Sequence, residues 1–444
     1  MDIMSLYTKG YEILNQDTIK IFKFTPENID ILHNQTNITK IVLYQYDYEE
    51  DPLSINLPDT IKSIDFKDSC VFNQQLFKLP RDLEVLILHE EYDYPLPNPL
   101  PVNLKYLDLG YRFNHQILEL PNNLECLIMS NDYTQDLPIF PDTLTKLVIG
   151  NDFSDFNKPI LSLPLSLIEL KIGNTYGCYP LPDPLPPNLQ KLTLGKEYNH
   201  PLSNNLPDTL IYLNLGSAFN HDIDNLPTSL QELRLSHNFD KEIKSLPTGL
   251  KKICFNGSYN NPLPNLPESL THLTTSYFFN QELVNLPPTL EYLKLGCYFN
   301  KSLDFLPPSL LELHIGWFYN KSLNNLPPNL KFLRLDCKNL EYTLDLLPDT
   351  IETLIIPTNY GFMINKLPKN LKYLYFYETY KYYLELLNLC NKNNVYLEIL
   401  YYININYILV SFTTFHLNLV LLALKFKWLQ FYFDIEILYI KILC

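Results

Sequence analysis

The amino-acid sequence predicts a β-rich solenoid, a horseshoe or gently curved array with one short parallel strand per repeat of about twenty residues and little helix on its convex side. Three observations carry this expectation. Leu-Pro pairs recur every twenty residues, at Leu206, Leu226, Leu246, Leu266, Leu286, Leu306 and Leu326. Each pair leads into an LxxLxL segment, such as Leu290-Glu291-Tyr292-Leu293-Lys294-Leu295, whose closing residues alternate with the period of a strand. Thirty-four prolines stand against only two alanines, Ala218 and Ala423, a balance that opposes long helices because proline lacks a backbone donor.

The same Leu-Pro pair recurs with small insertions at Leu57, Leu79, Leu100, Leu120, Leu163, Leu185, Leu347 and Leu367, with Phe140-Pro141 standing in once. Proline there favours extended or polyproline geometry and forbids a helix on the return path. The LxxLxL segments begin at residues 38, 61, 83, 104, 124, 144, 167, 189, 210, 230, 250, 270, 290, 310, 330, 351 and 371, which predicts seventeen strands. Ile19 to Phe24 is a candidate eighteenth. At about 4.8 Å between strands, seventeen of them span roughly 77 Å. Many strands end at glycine, as at Gly110, Gly150, Gly195, Gly216, Gly296 and Gly316, where positive φ would turn the chain off the sheet. An aromatic-Asn pair follows, as in Phe113-Asn114, Tyr198-Asn199, Phe219-Asn220, Phe279-Asn280, Phe299-Asn300 and Tyr319-Asn320. The ring is large enough to fill the interior beneath the turn. The amide can serve backbone groups that no strand reaches, and stacked repeats would align these amides in a row.

Composition limits the function. With 46% hydrophobic and 19% charged residues, the chain has enough apolar material to fold. A net charge of −15 lacks the basic footprint of a nucleic-acid binder, so no nucleic-acid partner is expected. The eight cysteines, at 70, 126, 178, 254, 297, 337, 390 and 444, form no CxxC pair, which suits free thiols in a reducing, cytoplasmic setting. Residues Met1 to Leu14 contain no apolar run of signal-peptide length, so the sequons at Asn34, Asn37 and Asn256 are expected to stay unmodified.

The pattern FNxxLxxLPxxLxxLxLG, over roughly residues 38–376, resembles the FNIP repeat, a relative of the leucine-rich repeat found in amoebae and in large DNA viruses that infect them. A similar phase occurs in short repeats of bacterial effector proteins. The resemblance implies a leucine-rich-repeat-like horseshoe and a role in binding other proteins. Many members begin with an F-box that recruits a ubiquitin ligase, but residues 1–37 show no clear F-box. They are expected to form an N-terminal cap with a degenerate first strand. The repeats then occupy residues 38–378 and a C-terminal cap residues 379–401. An apolar tail follows at 402–444.

Running from the cap into that tail, Ile399 to Leu424 holds no charged residue and is long enough to cross a bilayer. Asn404, Asn406, His416 and Asn418 oppose insertion. A membrane anchor through residues 402–424 and a capping tail therefore both stay open. No GxxxxGK[ST], HExxH, GxSxG or GxGxxG pattern occurs, and no catalytic residue, cofactor or metal is expected. His115, His200 and His221 share a phase occupied elsewhere by Lys241, Asn261, Gln281, Lys301 and Lys321, which reads as a variable solvent position.

The functional positions are the third and fifth residues of each LxxLxL, which line one sheet face. From the middle onward these include Tyr212, Asn214, Glu232, Arg234, Lys252, Cys254, His272, Thr274, Tyr292, Lys294, Glu312, His314, Phe332 and Arg334. Tyr and Arg are enriched at protein interfaces, so Tyr212, Arg234, His272, Tyr292, Lys294, His314, Phe332 and Arg334 are the candidate protein-binding residues. Further towards the N-terminus the same positions hold Val85, Ile87, Cys126, Ile128 and Val148, which predicts an exposed apolar stripe. The expected function is a non-catalytic cytoplasmic scaffold or adaptor that binds protein through the concave face. The alternatives are a ubiquitin-ligase substrate receptor and a tail-anchored repeat protein.

Overall fold

The structure, a computed structural model, describes residues 11–22, 26–43, 57–66, 75–76, 78–150, 156–202, 206–377 and 380–400. Among these, the strands form one continuous twenty-stranded sheet. β1 (Tyr11–Ile13) runs antiparallel to β2 (Thr18–Ile21), and every later neighbouring pair, from β2 with β3 (Lys40–Leu43) to β19 (Tyr373–Tyr377) with β20 (Tyr396–Leu400), is parallel. One strand falls in each of the seventeen LxxLxL segments, and β2 falls in the eighteenth candidate. Among the described residues, helix is confined to α1 (Pro26–Asn34) and α2 (Tyr383–Asn393). The fold is thus a leucine-rich-repeat-like solenoid.

The pattern of side chains explains the path. In β15 (Tyr292–Lys294), Leu293 is buried between half-buried Tyr292 and Lys294, and the flanking Leu290 and Leu295 are buried as well. Stacking each repeat on the next turns these short apolar runs into one core that extends the length of the array. Below the turns the buried rings form a second row. Phe279, Phe299 and Tyr319 lie nearly parallel with centroids 6.2 and 6.3 Å apart, as do Tyr92, Phe113 and Tyr133 at 6.3 and 6.4 Å. Strands repeat at about 4.8 Å. The rings therefore sit on a wider radius, and the sheet lines the concave side.

Polar groups that the strands cannot satisfy are satisfied from the neighbouring repeat. Asn280 Oδ1 accepts the backbone N–H of Asn300 at 2.9 Å, Asn300 Oδ1 that of Asn320 at 3.0 Å, and Asn320 Oδ1 that of Glu341 at 3.0 Å. The expected row of amides is therefore a chain of side-chain-to-backbone bonds. The Leu-Pro leg closes by a tight turn in which the proline carbonyl accepts from the leucine three residues on, as with Leu290 N to Pro287 O at 3.1 Å. The second proline of a Leu-Pro-Pro leg sits where such turns favour it. A Ser or Thr hydroxyl in that turn donates to the preceding repeat, as Thr289 to Leu270 O at 3.0 Å and Ser309 to Leu290 O at 2.7 Å.

Where the buried ring is tyrosine, its hydroxyl also serves the backbone. Tyr360 OH accepts from Leu344 N at 3.0 Å and donates to Tyr342 O at 3.1 Å. Burial pushes the Tyr133, Tyr176, Tyr259, Tyr360 and Tyr380 hydroxyls up to about 12, so these rings stay neutral in the folded array.

Glycine at the strand end answers two different demands. Gly216 takes a φ of 71°, as the sequence suggests, and a Cβ there would also lie 2.0 Å from Gly195 O, whereas Gly296 is required by contact alone. A Cβ there would lie 1.7 Å from Ser276 O of the preceding repeat. The variable solvent position after the aromatic-Asn pair is also more constrained than its sequence implies. His200 Nε2 donates to Gly177 O at 2.9 Å, His221 Nε2 to Asn199 O at 2.9 Å, and Gln281 Nε2 to Asn260 O at 2.9 Å. A long donor reaching the previous repeat is what these residue types share.

At the ends, Leu32 of α1 is buried, and Leu386 and Cys390 of α2 are buried beneath the last strands. The tail 402–444 lies outside the described residues, as do Cys70 and Cys444. Among the described residues, no helix is long and apolar enough to cross a membrane.

Phe299 is fully buried between Phe279 and Tyr319, whereas Lys301 keeps 38% of its side chain exposed. Denaturant unfolding is expected to show Phe299→Ala destabilising the array by about 3–5 kcal/mol and Lys301→Ala by less than about 0.5 kcal/mol. Equal losses would mean that the inward and outward phases are misassigned.

Candidate concave recognition face

The strands β14 (His272–Thr274), β15, β16 (Glu312–Ile315) and β17 (Phe332–Leu335) hold six of the eight candidate residues in register. His272 stands beside Tyr292, Tyr292 beside Glu312, and Glu312 beside Phe332. On the fifth-position row, Lys294 stands beside His314 and His314 beside Arg334. The side chains cross between the two rows. The ring of His272 stacks on Tyr292 with centroids 5.4 Å apart, Tyr292 lies 5.3 Å from His314, and His314 lies 5.3 Å from Phe332. Four rings therefore run unbroken across four strands, all half-buried at their sides by one another.

Carboxylates orient the flanking polar groups. His314 Nε2 lies 2.6 Å from Glu312 Oε1, and Arg334 Nε donates to both oxygens of Asp336 at 3.0 and 2.9 Å. Thr271 Oγ1 lies 2.8 Å from His272 Nδ1 and fixes that ring from the adjacent position. Burial holds His272 below its ordinary histidine value, and the Lys252 ammonium on the neighbouring β13 (Lys252–Cys254) lowers it further, against opposing pulls from Glu291, Glu312 and Glu232.

Tyr212 and Arg234 are not part of this cluster. They lie on β11 (Tyr212–Asn214) and β12 (Glu232–Arg234), and Arg234 Nε is held by Glu232 Oε1 at 3.0 Å. The expected apolar stripe near the N-terminus is partly corrected. Val85, Ile87, Cys126 and Ile128 are half-buried, and Val148 on β8 (Lys146–Ile149) is only 5% exposed. Side chains on the inner radius of a curved sheet converge, so neighbours cover much of what a flat sheet would expose.

A second aromatic group lies on the turn edge. Phe278, Tyr298 and Phe318 each precede a buried ring and are 44%, 40% and 48% exposed. With Tyr277 they make a contiguous ridge along the turn edge, Phe278 to Tyr298 at 5.1 Å and Tyr298 to Phe318 at 4.6 Å. The signal is present in the repeat phase. The same position holds Arg112, Ala218, Asn238 and Ser258 elsewhere and turns aromatic in three consecutive repeats.

Among the described residues no three His, Cys, Asp or Glu side chains gather as a metal ion would need. Cys297 and Cys337 are separate free thiols, and burial pushes Cys337 up to about 12.

The chain carries FNIP repeats. The family model for the FNIP repeat matches residues 95–132, 180–218 and 259–298, each spanning two consecutive strands with the turns between them. No curated protein matches the sequence. Solved structures similar to it include CroV588, a circular leucine-rich-repeat protein, at 24% identity and TM-score 0.45, covering 83% of this chain and 77% of the other. YopM from Yersinia enterocolitica WA-314 is similar at 23% identity and TM-score 0.49, covering 84% and 89%. The functional domain of InlJ from Listeria monocytogenes is similar at 14% identity and TM-score 0.40, covering 80% and 72%.

The charge pattern around His272 gives a direct check on the face. A histidine whose pKa is lowered on folding binds its proton less tightly folded than unfolded, so its contribution to stability fades as pH falls below about 6.5. An NMR titration is expected to place His272 below the ordinary histidine value in the native protein and higher in Lys252→Glu. An unchanged value in the variant would separate the two strands' side chains.

Proposed function

We propose that this FNIP-repeat chain is a non-catalytic cytoplasmic scaffold that binds a protein partner through the concave face of β14 to β17. Tyr292, Lys294, His314, Phe332 and Arg334 form the centre of the interface and His272 its margin. The observation that supports this most is the unbroken row of four rings with cations beside it. Aromatic and arginine side chains supply most of the binding energy at protein interfaces. Here they stand on backbones fixed by parallel pairing on both sides, so association does not have to order a loop. An open sheet face also suits a macromolecular surface better than a small substrate, which needs a concave pocket to bury it.

The test is capture of partners from cytosol by the full chain. Tyr292→Ala with Arg334→Ala is expected to lose the captured protein, since truncating central anchors costs about 2 kcal/mol or more. Lys241→Ala with Lys244→Ala, outside the face, is expected to retain it. Retention by the first pair and loss by the second would contradict the assignment, provided circular dichroism shows both folded.

A further inference from the structure

The concave row and the turn-edge ridge belong to the same stretch of the array. Each strand of β14 to β16 runs directly into the turn that carries the ridge, so Lys294 is followed four residues later by Tyr298, and His314 by Phe318. Phe278, Tyr298 and Phe318 of the ridge are exposed, and nothing in their own repeat requires an aromatic there, because the equivalent position is polar or small in other repeats. Five successive strand-and-turn segments, 252–261, 272–281, 292–301, 312–321 and 332–341, carry six cations, Lys252 and Lys294 among them, and three carboxylates. This window is therefore net positive by three charges within a chain of net charge −15.

We infer that the row and the ridge form one continuous surface and that its occupant is an acidic polypeptide segment carrying aromatic or leucine side chains. The inference rests on the concave-face reading and extends it to a partner chemistry. The rings of both rows would take the apolar side chains, with Lys294 and Lys252 meeting the carboxylates between them. Aromatic rings among cations also suit a single strand of nucleic acid. A long polyanion, however, would be repelled by the acidic remainder of the chain, whereas a short acidic segment meets only the positive window.

The experiment is fluorescence anisotropy on the full chain with a labelled twelve-residue peptide of glutamates interrupted by phenylalanine and leucine. Its comparators are the same peptide with lysine for glutamate, a glutamate-only peptide, and a long oligothymidylate that reaches beyond the positive window. The acidic apolar peptide is expected to bind at least tenfold tighter than each comparator, more weakly as salt rises. Phe278→Ser with Phe318→Ser, at exposed positions, is expected to weaken it tenfold or more without moving the unfolding midpoint, and Tyr292→Ala with Arg334→Ala to do the same. Tighter binding of the oligothymidylate, or equal binding of the lysine peptide, overturns the inference. Loss with the concave pair but not with the ridge pair overturns the joint surface while leaving the concave reading standing. Loss with the ridge pair alone overturns both.

Discussion

A coil of twenty residues has too few residues to satisfy its own backbone, and in this chain the missing partners come from the neighbouring coil. Strand pairing accounts for only about three residues in each repeat. The rest is held by the Asn side chain that accepts the next repeat's N–H and the Ser or Thr hydroxyl that donates to the previous repeat's carbonyl. His or Gln side chains reach back in the same way. These bonds are part-buried or exposed, so they set the register between coils while the fully buried leucines supply most of the stability.

Much of this was legible in the residues. The twenty-residue spacing of Leu-Pro located the strands, and the in-and-out alternation of Leu293 and Lys294 located the two faces of the sheet. The buried rings and the asparagine row can be read because each recurs at one phase, as Phe or Tyr for the rings and chiefly as Asn for the amides. The hydroxyl row was not legible, since Thr289, Ser309 and Asn329 look interchangeable until the carbonyl they serve is placed in space. Gly296 looks like Gly216 in the sequence, yet both avoid a collision with the preceding repeat and only Gly216 also adopts positive φ. Val148 is buried where its phase predicts exposure, because curvature, which no single repeat encodes, decides how closely outward side chains converge.

The same rigidity bears on function. A residue on a strand paired on both sides has a fixed position, so neighbouring repeats can bring His272, Tyr292, His314 and Phe332 into ring contact although they are separated by about twenty residues in sequence. The candidate surface is therefore a property of adjacent repeats, and Tyr212 and Arg234 fall away from it because they lie on more distant strands. The aromatic ridge became visible only once the turn edge was seen beside the strand ends.

Hydrogen exchange resolved to single amides tests the inter-repeat bonding most directly. In the native chain the N–H groups of Asn300 and Asn320 should exchange slowly, each held by the Asn side chain of the preceding repeat. Asn300→Ala should accelerate exchange at Asn320 while leaving the amide of position 300 itself, held by Asn280, protected. Unchanged protection at Asn320, or a uniform loss across the array, would contradict the account.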